Sequence, residues 1–497
     1  MSYYLIILSG LMLGLPFVIP QFALLAWVGL MPLLKGLENS SWQQSLKLGW
    51  LFGMTFLTIS SNWLMEPIIK FSGYPLIVSA LIFFICAAIL ALYFALFAVV
   101  LNFLQKHFNV SLLILVPIVW TGVEFLRSIY SFQFLFAFLG YTQSFIPEMI
   151  QFAQVGGVYL VTFIIVLVNT IFYVAWQTDK QKTSMIYGLI AILIIGGVFA
   201  YGQWQLNQIS STKTNFRVGI VQPNIPQHKK LDSDYYGQLE EKLIRLSETE
   251  IQKNKPDLLV WPETAILRSY SLDRKFPYLK DYKTPLYVGG FVRQGNGPLN
   301  SALLVNDQGE IVNRYSKNIL VPWGEYVPFP NIVPDFIETN LNHITPGTQA
   351  TEFELKDVSW VGAICSEILN PDYIRKSYQQ NDFIINISNE AWFGDSSAPR
   401  QVLQAAIFRA VEHQVPIVKV GNTGISGLIS PKGKILRKTK LLTTETLTVD
   451  LKLPQREKTI YYRLGDIVGR GSLLVIILLL LMTGYQNFNL GNKEKNK

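Results

Sequence analysis

A cysteine in the polar part of this chain has a setting that suits a nucleophile. The 497 residues include only two cysteines; Cys86 lies within a long apolar run, whereas Cys365 lies in "GAICSEILNPDYIR". These surroundings differ so much that we do not expect a disulfide between the two. A free cysteine is commonly a small buried hydrophobe, so a structural role is the alternative to a reactive thiol.

The residues around Cys365 predict a buried strand that runs directly into a turn. "DVSWVGAI" is apolar and rich in strand-forming residues, and "NPDYIRKSY" then begins a helix. A thiol on such a turn is expected to stand exposed at the edge of the sheet, near backbone N–H groups that can hold an oxyanion. This pattern keeps a nucleophilic role open for Cys365.

Two further strands deliver an ionisable residue at the same kind of position. The apolar "DLLVW" leads to Glu263, and "NRYS" leads to Lys317, with Glu325 eight residues further on. Taken singly, Glu263 would be interpreted as a surface acid, and Lys317 would be interpreted as a lysine whose charged end reaches solvent. Because open α/β sheets bind ligands at the carboxyl ends of their strands, three such groups together favour a reactive site.

Other kinds of site find little support. The four histidines are scattered without the spacing of a zinc site, and "NTGISGL" lacks the G-x-S-x-G form of a nucleophile elbow. No P-loop or dinucleotide fingerprint is present. The net charge of +8 comes without a basic stripe interleaved with aromatic residues. We therefore expect no metal, no cofactor and no nucleic-acid partner.

The composition is that of a membrane protein. Mean hydropathy is +0.30 and charged residues make up 15% of the chain, against about 25% in ordinary soluble proteins. The opening "MSYYLIILSG" has neither a basic region nor a small-residue cleavage site, so we expect a membrane span there and not a signal peptide. Runs long enough to cross a bilayer lie near residues 3–19, 21–35, 46–66, 75–104, 111–127, 153–176, 184–205 and 471–486.

These runs predict the domain organisation. Residues 1–206 are expected to form a region of seven transmembrane helices, and residues 471–486 an eighth. Between them, residues 212–462 have the frequent charge, turn prolines and short Val/Ile-rich strands of a folded domain. Residues 487–497 form a polar tail.

Lysines in the short connections predict the orientation. Cytoplasmic loops are enriched in Lys and Arg. If both termini are cytoplasmic, the lysines of alternate loops and of the tail "GNKEKNK" all fall on that side. The loop lysines are Lys35, Lys47, Lys106, Lys180 and Lys182. The domain between the last two helices is then expected outside the cytoplasmic membrane.

Several motifs carry a resemblance to known families. "WPETAI", "YSKNILVPWGEYVPF", "GAICSEIL" and "NISNEAWFG" resemble the nitrilase superfamily, whose Glu, Lys, Cys triad corresponds to Glu263, Lys317 and Cys365. With "GWLFGMTFLTISSNWL" in the apolar region, nearly the whole chain is similar to the apolipoprotein N-acyltransferase family. That resemblance implies about eight transmembrane helices and a nitrilase-like α-β-β-α sandwich in the periplasm of a bacterium, on its inner membrane.

The resemblance also implies an activity. Members of this family transfer an acyl chain from a membrane phospholipid to the amino group of the diacylglyceryl-modified N-terminal cysteine of apolipoproteins. Cys365 would carry the acyl group as a thioester, Glu263 would move protons and Lys317 would stabilise each tetrahedral intermediate. Glu325 and Glu367 would support these groups. The resemblance further suggests substrate-positioning roles for Ser366, Trp323, Asn389 and Trp392.

The chain departs from the family pattern at four positions. The family commonly has tryptophan, tyrosine, aspartate and arginine where this sequence has Leu231, Ser366, Glu390 and Lys419. Two other functions use the same features differently. A membrane-tethered amidase or nitrile hydrolase would use the triad with water as acceptor. A transporter or scaffold would carry an inactive domain, and Glu124 with Arg127 is the kind of polar pair a transporter has, although helix packing also explains it.

Overall fold

The computed structural model describes residues 2–129, 134–208, 212–270, 283–294, 297–328, 344–454 and 458–495. The chain divides into two compact units. Unit 1 consists of Met1–Asn207 and Arg463–Lys497, and unit 2 of Gln208–Tyr462. Phe329, the last residue of the motif "YSKNILVPWGEYVPF", and His343, one of the four histidines, lie outside the described residues.

Unit 1 is built from helices, and unit 2 contains five shorter or amphipathic ones. In chain order the helices are α1 Ser2–Val18, α2 Met31–Leu37, α3 Trp42–Ser60, α4 Met65–Ser72, α5 Leu76–Leu90, α6 Leu92–His107, α7 Leu112–Leu126, α8 Ala153–Gln177, α9 Gln181–Asn207, α10 Gln227–Lys230, α11 Tyr236–Asn254, α12 Pro371–Ser377, α13 Ala398–His413, α14 Ile460–Leu464 and α15 Ile467–Lys495. Most of the first nine, and the last, overlap the apolar runs of the sequence, whereas α4 lies almost wholly between two runs and α15 extends beyond the run at 471–486.

Four stretches of the described helices are long and apolar enough to cross a membrane. They are Leu76–His107, Ala153–Gln177, Gln181–Asn207 and Ile467–Gln486. The segment Pro20–Trp27 and α2, bent by 41° at the break between them, become a fifth if they are one span. The prediction of several apolar helices is confirmed, and the count of eight spans stays a prediction.

The polar pair of the helical unit is part of a local network. Glu124 accepts hydrogen bonds from the Thr162 hydroxyl (2.6 Å) and from the N–H of Leu139 (3.0 Å). Arg127 lies 4.0 Å from Glu124 and donates to the carbonyl of Ala137 (3.0 Å). These contacts join α7 to α8 and to the segment between them, which is the packing explanation of the pair.

Unit 2 contains two β-sheets. Its strands are β1 Thr212–Gln222, β2 Leu258–Val260, β3 Ile266–Tyr270, β4 Leu286–Gln294, β5 Gly297–Val305, β6 Ile311–Ser316, β7 Glu352–Leu355, β8 Val358–Ile364, β9 Phe383–Ser388, β10 Ile417–Gly421, β11 Gly427–Ile429, β12 Ile435–Lys438 and β13 Glu445–Pro454. The first sheet has the order β13-β1-β2-β4-β5-β6, with β3 beside β4. The second has the order β12-β11-β10-β9-β8-β7.

The two sheets share one core. Side chains from both, including Tyr287 of the first sheet and Trp360 and Phe383 of the second, form a single buried apolar cluster. Helix α11 packs on the first sheet through a second cluster that contains Leu243, and α13 contacts β10 and β11 of the second sheet. The layers are therefore α-β-β-α, and the predicted α/β domain is confirmed.

Strand direction places three predicted site residues at equivalent ends. Strands β1, β2 and β4 run parallel, as do β8, β9 and β10. Strand β6 is antiparallel to β5, which is antiparallel to β4, so β6 again runs with the parallel set. Glu263, Lys317 and Cys365 each follow the carboxyl end of one of these strands.

Candidate active site

Cys365 begins the turn that follows β8. Its φ of 54° lies in the left-handed region that few residues other than glycine adopt. A 3-10 turn, Cys365–Leu369, starts there, and the Asn386 side-chain amide donates to the carbonyls of Cys365 (3.3 Å) and Ala363 (3.1 Å). The expectation of an exposed thiol was wrong: Cys365 is partly buried because it packs against the core between the sheets.

Glu263 is a buried acid held by two donors. Its side chain is only 5% exposed, which excludes the surface-acid interpretation. One carboxylate oxygen accepts from Asn300 Nδ2 (2.8 Å) and the other from the backbone N–H of Asn389 (2.8 Å). Because both oxygens are fixed, the carboxylate has a defined orientation for proton transfer.

Lys317 is equally buried and lies between two carboxylates. Its Nζ donates to Glu325 Oε1 (2.8 Å) and is 3.7 Å from Glu263 Oε1. Burial lowers the pKa of Lys317, but the charges of Glu325, Cys365 and Glu263 outweigh it and raise the pKa above its usual value. Lys317 therefore stays an ammonium at neutral pH, and the interpretation as a solvent-reaching lysine is excluded.

The thiol of Cys365 is protonated at rest. Burial raises its pKa well above the ordinary value, and the neighbouring charge of Glu263 raises it further, whereas Lys317 lowers it. Glu325 and Glu390 also raise it. A nucleophile in this setting needs a base that removes its proton during attack, and Glu263 is the buried carboxylate whose charge acts most strongly on Cys365.

Glu325 supports Lys317 from a tight turn. Its second carboxylate oxygen accepts from the N–H of Val321 (2.8 Å), and its carbonyl accepts from the N–H of Ile344 (3.2 Å). Trp323, at the tip of this turn, has a φ of 62° and is 53% exposed. The turn therefore fixes the lysine partner and leaves an aromatic side chain open to the surroundings.

Glu367 connects the cysteine turn to the lysine loop. Its carboxylate accepts from the N–H groups of Ile364 (2.8 Å) and Asn318 (2.7 Å) and from the Tyr315 hydroxyl (2.7 Å). Burial raises the pKa of Glu367, and these hydrogen bonds partly oppose that rise. Because Asn318 is next to Lys317 in the chain, Glu367 holds the two loops in register.

The remaining predicted residues occupy different places. Ser366 is partly buried on the cysteine turn, Asn389 is buried beside Glu263, and Trp392 is partly buried further along the same loop. Two departures from the family pattern meet: Lys419 and Glu390 form a buried ion pair. A longer acid combined with a shorter base spans a similar gap, so the two departures are compatible with one another.

Sequence reasoning missed two polar residues of this site. Asn300 on β5 donates to Glu263 and also to Glu325 (3.3 Å). A buried asparagine within the apolar "GPLNSALLV" was the available signal, since strand positions facing a core are normally apolar. Lys230 is also buried next to Glu263, but within "QHKKLD" it reads as part of a solvated basic run. In the described part of the chain, no group of three His, Cys, Asp or Glu side chains could hold a metal ion.

The fold and the grouping of Cys, Glu and Lys at its strand ends define a carbon-nitrogen hydrolase domain. Residues 217–461 match the family described as "Carbon-nitrogen hydrolase". A solved carbon-nitrogen hydrolase from Helicobacter pylori is 16% identical, with a TM-score of 0.38, over 51% of this chain and 94% of that one.

Residues 9–171 match "Apolipoprotein N-acyltransferase N-terminal domain". The apolipoprotein N-acyltransferase of Geobacter metallireducens is 30% identical over 94% of this chain and 92% of its own length. That of Pasteurella multocida is 29% identical over 97% and 95%. The chain therefore belongs to the apolipoprotein N-acyltransferase family, and the expected acyltransferase class is confirmed. With its apolar helices, it is a bacterial membrane protein.

Proposed function

We propose that this chain transfers a fatty acyl group from a membrane phospholipid to the α-amino group of the diacylglyceryl-modified N-terminal cysteine of apolipoproteins. The observation that carries the proposal is the grouping of the buried Glu263 and Lys317 with Cys365 at the carboxyl ends of three strands in a member of this family. A thioester suits the task because it keeps the acyl group activated between two lipid substrates.

In the first half-reaction, the Cys365 sulfur attacks the carbonyl carbon of the phospholipid ester while Glu263 takes the thiol proton. The carbonyl oxygen becomes an oxyanion, which the Lys317 ammonium stabilises. The C–O bond then breaks, and Glu263 returns its proton to the departing glycerol oxygen. The products are a lysophospholipid and a thioester on Cys365.

In the second half-reaction, the amino group of the acceptor attacks the thioester carbonyl and gives a proton to Glu263. Lys317 stabilises the second oxyanion in the same way. The C–S bond breaks, the proton of Glu263 returns to sulfur, and an amide is released. Each cycle therefore restores the protonated thiol that burial favours in the resting site.

Both substrates are lipids, so the proposal includes a membrane location for the reaction. We infer a multi-pass inner-membrane protein with cytoplasmic termini and a periplasmic catalytic domain. The exposed Trp323 is a suitable residue for contact with lipid, because tryptophan is favoured at membrane interfaces. Its neighbour Glu325 holds Lys317, which links this turn directly to the site.

The intact mass of the protein purified without an acceptor tests this chemistry. Phospholipid is always present in the membrane, and water competes poorly in a lipid-facing site, so one acyl chain should be found on Cys365. Neutral hydroxylamine should release it, as expected for a thioester. A diacylglyceryl peptide with a free N-terminal cysteine should remove the adduct and gain the same mass.

Two cysteine variants serve as controls. Cys365→Ser should form little acyl-enzyme, because a serine hydroxyl is far harder to deprotonate than a thiol. Cys86→Ser should keep the adduct, since Cys86 lies on α5 in the helical unit. If Cys365→Ala retained N-acylation of the peptide, the cysteine would be structural and the triad assignment would fail. If water alone discharged the adduct as fast as the peptide does, the chain would be a hydrolase.

A further inference from the structure

A second buried lysine lies beside the site. Lys230 ends the short helix α10 and is 5% exposed, whereas the next residue, Leu231, is 64% exposed. The Lys230 ammonium donates to Thr264 Oγ1 (2.7 Å), Asn389 Oδ1 (3.0 Å) and the carbonyl of Glu263 (3.3 Å). An ammonium has three N–H donors, so each can bond to one of these uncharged oxygens. Among the described carboxylates, none forms an ion pair with Lys230.

The acceptors of Lys230 connect it to the carboxylate of Glu263. The N–H of Asn389 holds one oxygen of that carboxylate (2.8 Å), and its side-chain oxygen accepts from Lys230. Asn389 is itself fixed by Gln227 (2.7 Å) and Asn422 (2.8 Å). Lys230 therefore braces both the backbone of Glu263 and the residue that orients its side chain.

The charges of the site give Lys230 a second effect. Glu263 and Glu325 supply two carboxylates around the single ammonium of Lys317. The nearby Glu390 is already paired with Lys419. Without another cation, these three charges would be negative overall, which disfavours removal of the thiol proton from Cys365. Lys230 is the buried cation that balances them.

We propose that Lys230 is a positioning residue for acyl transfer, which holds Glu263 through Asn389 and supplies a second positive charge beside this carboxylate. The inference rests on the proposed function for the reaction it serves. The effect of this charge on the reactivity of the Cys365 thiol is present whether or not an acyl group is transferred, so it can be measured separately.

The charge of Lys230 depends on pH. Burial lowers its pKa to about 7, although the charge of Glu263 opposes the fall. The ammonium is therefore present below about pH 7 and is lost as the pH rises through that value. The titratable groups that act on Cys365 itself are Glu263, Lys317, Glu325 and Glu390.

Alkylation of Cys365 by iodoacetamide, followed against pH, tests this role in the full-length protein after neutral hydroxylamine has removed any acyl group. Lys230→Met removes the charge and the hydrogen bonds, and Lys230→Gln removes the charge but keeps a donor. All proteins carry Cys86→Ser, so that one thiol reports. In both variants alkylation should be about tenfold slower than in the wild type below about pH 7, where the wild-type Lys230 is charged, and the difference should shrink as the pH rises through that value.

Lys229→Met is the matched control. Lys229 is the adjacent lysine, lies over the Tyr235 ring (5.2 Å) and has no contact with the triad among the described contacts. This variant should alkylate with the wild-type pH dependence. The thioester yield should fall in both Lys230 variants and not in the control. Thermal unfolding of each protein shows whether the fold is kept. If Lys230→Met does not fold, Lys230→Gln serves as the test, because it keeps a hydrogen-bond donor.

Either of two results would overturn the inference. One is a wild-type pH profile in Lys230→Gln, which would assign only hydrogen bonding to Lys230. The other is a loss of reactivity that is equal at every pH, as a purely structural residue would give. A wild-type protein that alkylates normally and never carries an acyl thioester would refute the proposed function instead. The pH-dependent difference in alkylation between the Lys230 variants and the wild type would then still stand.

Discussion

At the scale of residues, the site depends on charges that are buried together. Glu263 and Lys317 are 5% and 1% exposed, so their interaction is little screened by water. Each also forms a hydrogen bond: Glu263 accepts one from Asn300, and Lys317 donates one to Glu325. Burying an unpaired charge is strongly unfavourable. The chemistry and the stability of this region therefore depend on the same contacts.

Removing either charge should abolish activity. Glu263→Gln keeps the shape but loses the base, and Lys317→Met keeps the length but loses the cation that stabilises the oxyanion. Loss of one such transition-state contact typically lowers the rate about a hundredfold or more. Turnover of the diacylglyceryl peptide and formation of the acyl-enzyme should both fall to that extent. Lys317→Met should also lower the unfolding temperature, because Glu263 and Glu325 then lose the ammonium that lies between them.

An exposed lysine of the same unit provides the control. Lys356 forms an ion pair with Asp257 (2.7 Å), and its side chain is 62% exposed. Lys356→Met should leave turnover unchanged, since exposed pairs contribute little. Near-normal turnover in Glu263→Gln or Lys317→Met, at a normal protein level, would remove that residue from the mechanism.

The sequence predicted some of these residues and not others, for physical reasons. Glu263 and Lys317 were predictable because each follows the end of a predicted strand, where ligand-binding residues of α/β sheets usually lie. Lys230 was not, because a lysine beside His228 and Lys229 has the local pattern of a solvated surface. Its burial results from contacts with residues distant in the chain, such as Asn389. The predicted exposure of Cys365 was wrong for a similar reason: its side chain packs against the core that both sheets form.

At the scale of elements, the loops after the strands carry the strain of the site. In the described parts of the loops that follow β2, β6, β8 and β9, four residues other than glycine have φ in the left-handed region: Thr264 (48°), Trp323 (62°), Cys365 (54°) and Glu390 (53°). Each is a candidate site residue or directly follows one. Such conformations are retained only where the surrounding structure enforces them. The sheets therefore supply direction, and the loops supply the final orientation of each group.

One strand approaches the loop of Glu263 so closely that only glycine fits. A Cβ atom on Gly289 of β4 would lie 2.6 Å from the Cα of Glu263 and 2.6 Å from the carbonyl oxygen of Pro262. Gly289→Ala should therefore push Glu263 away from Lys317 and Cys365. A displacement of about 1 Å can lower the rate about a hundredfold. Turnover and the unfolding temperature should be measured together, because the same clash overpacks the core.

Gly237 provides a comparison within the same unit. A Cβ atom there would meet nothing within 4 Å, and the residue lies in α11. Gly237→Ala should keep full turnover and raise the stability slightly, since alanine favours a helix over glycine. If Gly289→Ala were as active as Gly237→Ala, the placement of Glu263 would not depend on this contact.

The sequence predicted the positions of the helices and strands better than it predicted breaks within them. Apolar runs marked β2 and β8 and the long helices α8 and α9 close to their observed positions. It could not show that the second predicted span, near residues 21–35, has a break, with Pro20–Trp27 as a 3-10 segment bent by 41° from α2. A break of this kind depends on packing between helices, which a hydropathy pattern does not report.

At the scale of the whole molecule, the catalytic unit is inserted into the helical one. The chain leaves unit 1 after Asn207, at the end of α9, and returns at Arg463, shortly before α15. If α9 and α15 are both spans, the ends that join unit 2 must lie on the same side of the membrane. Their other ends are next to Lys180 and Lys182 and to the lysine-containing tail. The positive-inside rule predicts that both of those ends are cytoplasmic.

Reporter fusions should therefore find the two parts of the chain in different compartments. A reporter that works only outside the cytoplasm should be inactive after residue 108, which follows Lys106 at the end of α6, and active after residue 300, within β5. A reporter that works only in the cytoplasm should give the reverse pattern and should be active after residue 486. The short loops carry few acidic residues, so lysine placement should dominate the orientation. If one reporter were active after both residue 108 and residue 300, the orientation predicted from the loop lysines would be wrong. The predicted periplasmic location of Cys365 would then be wrong as well.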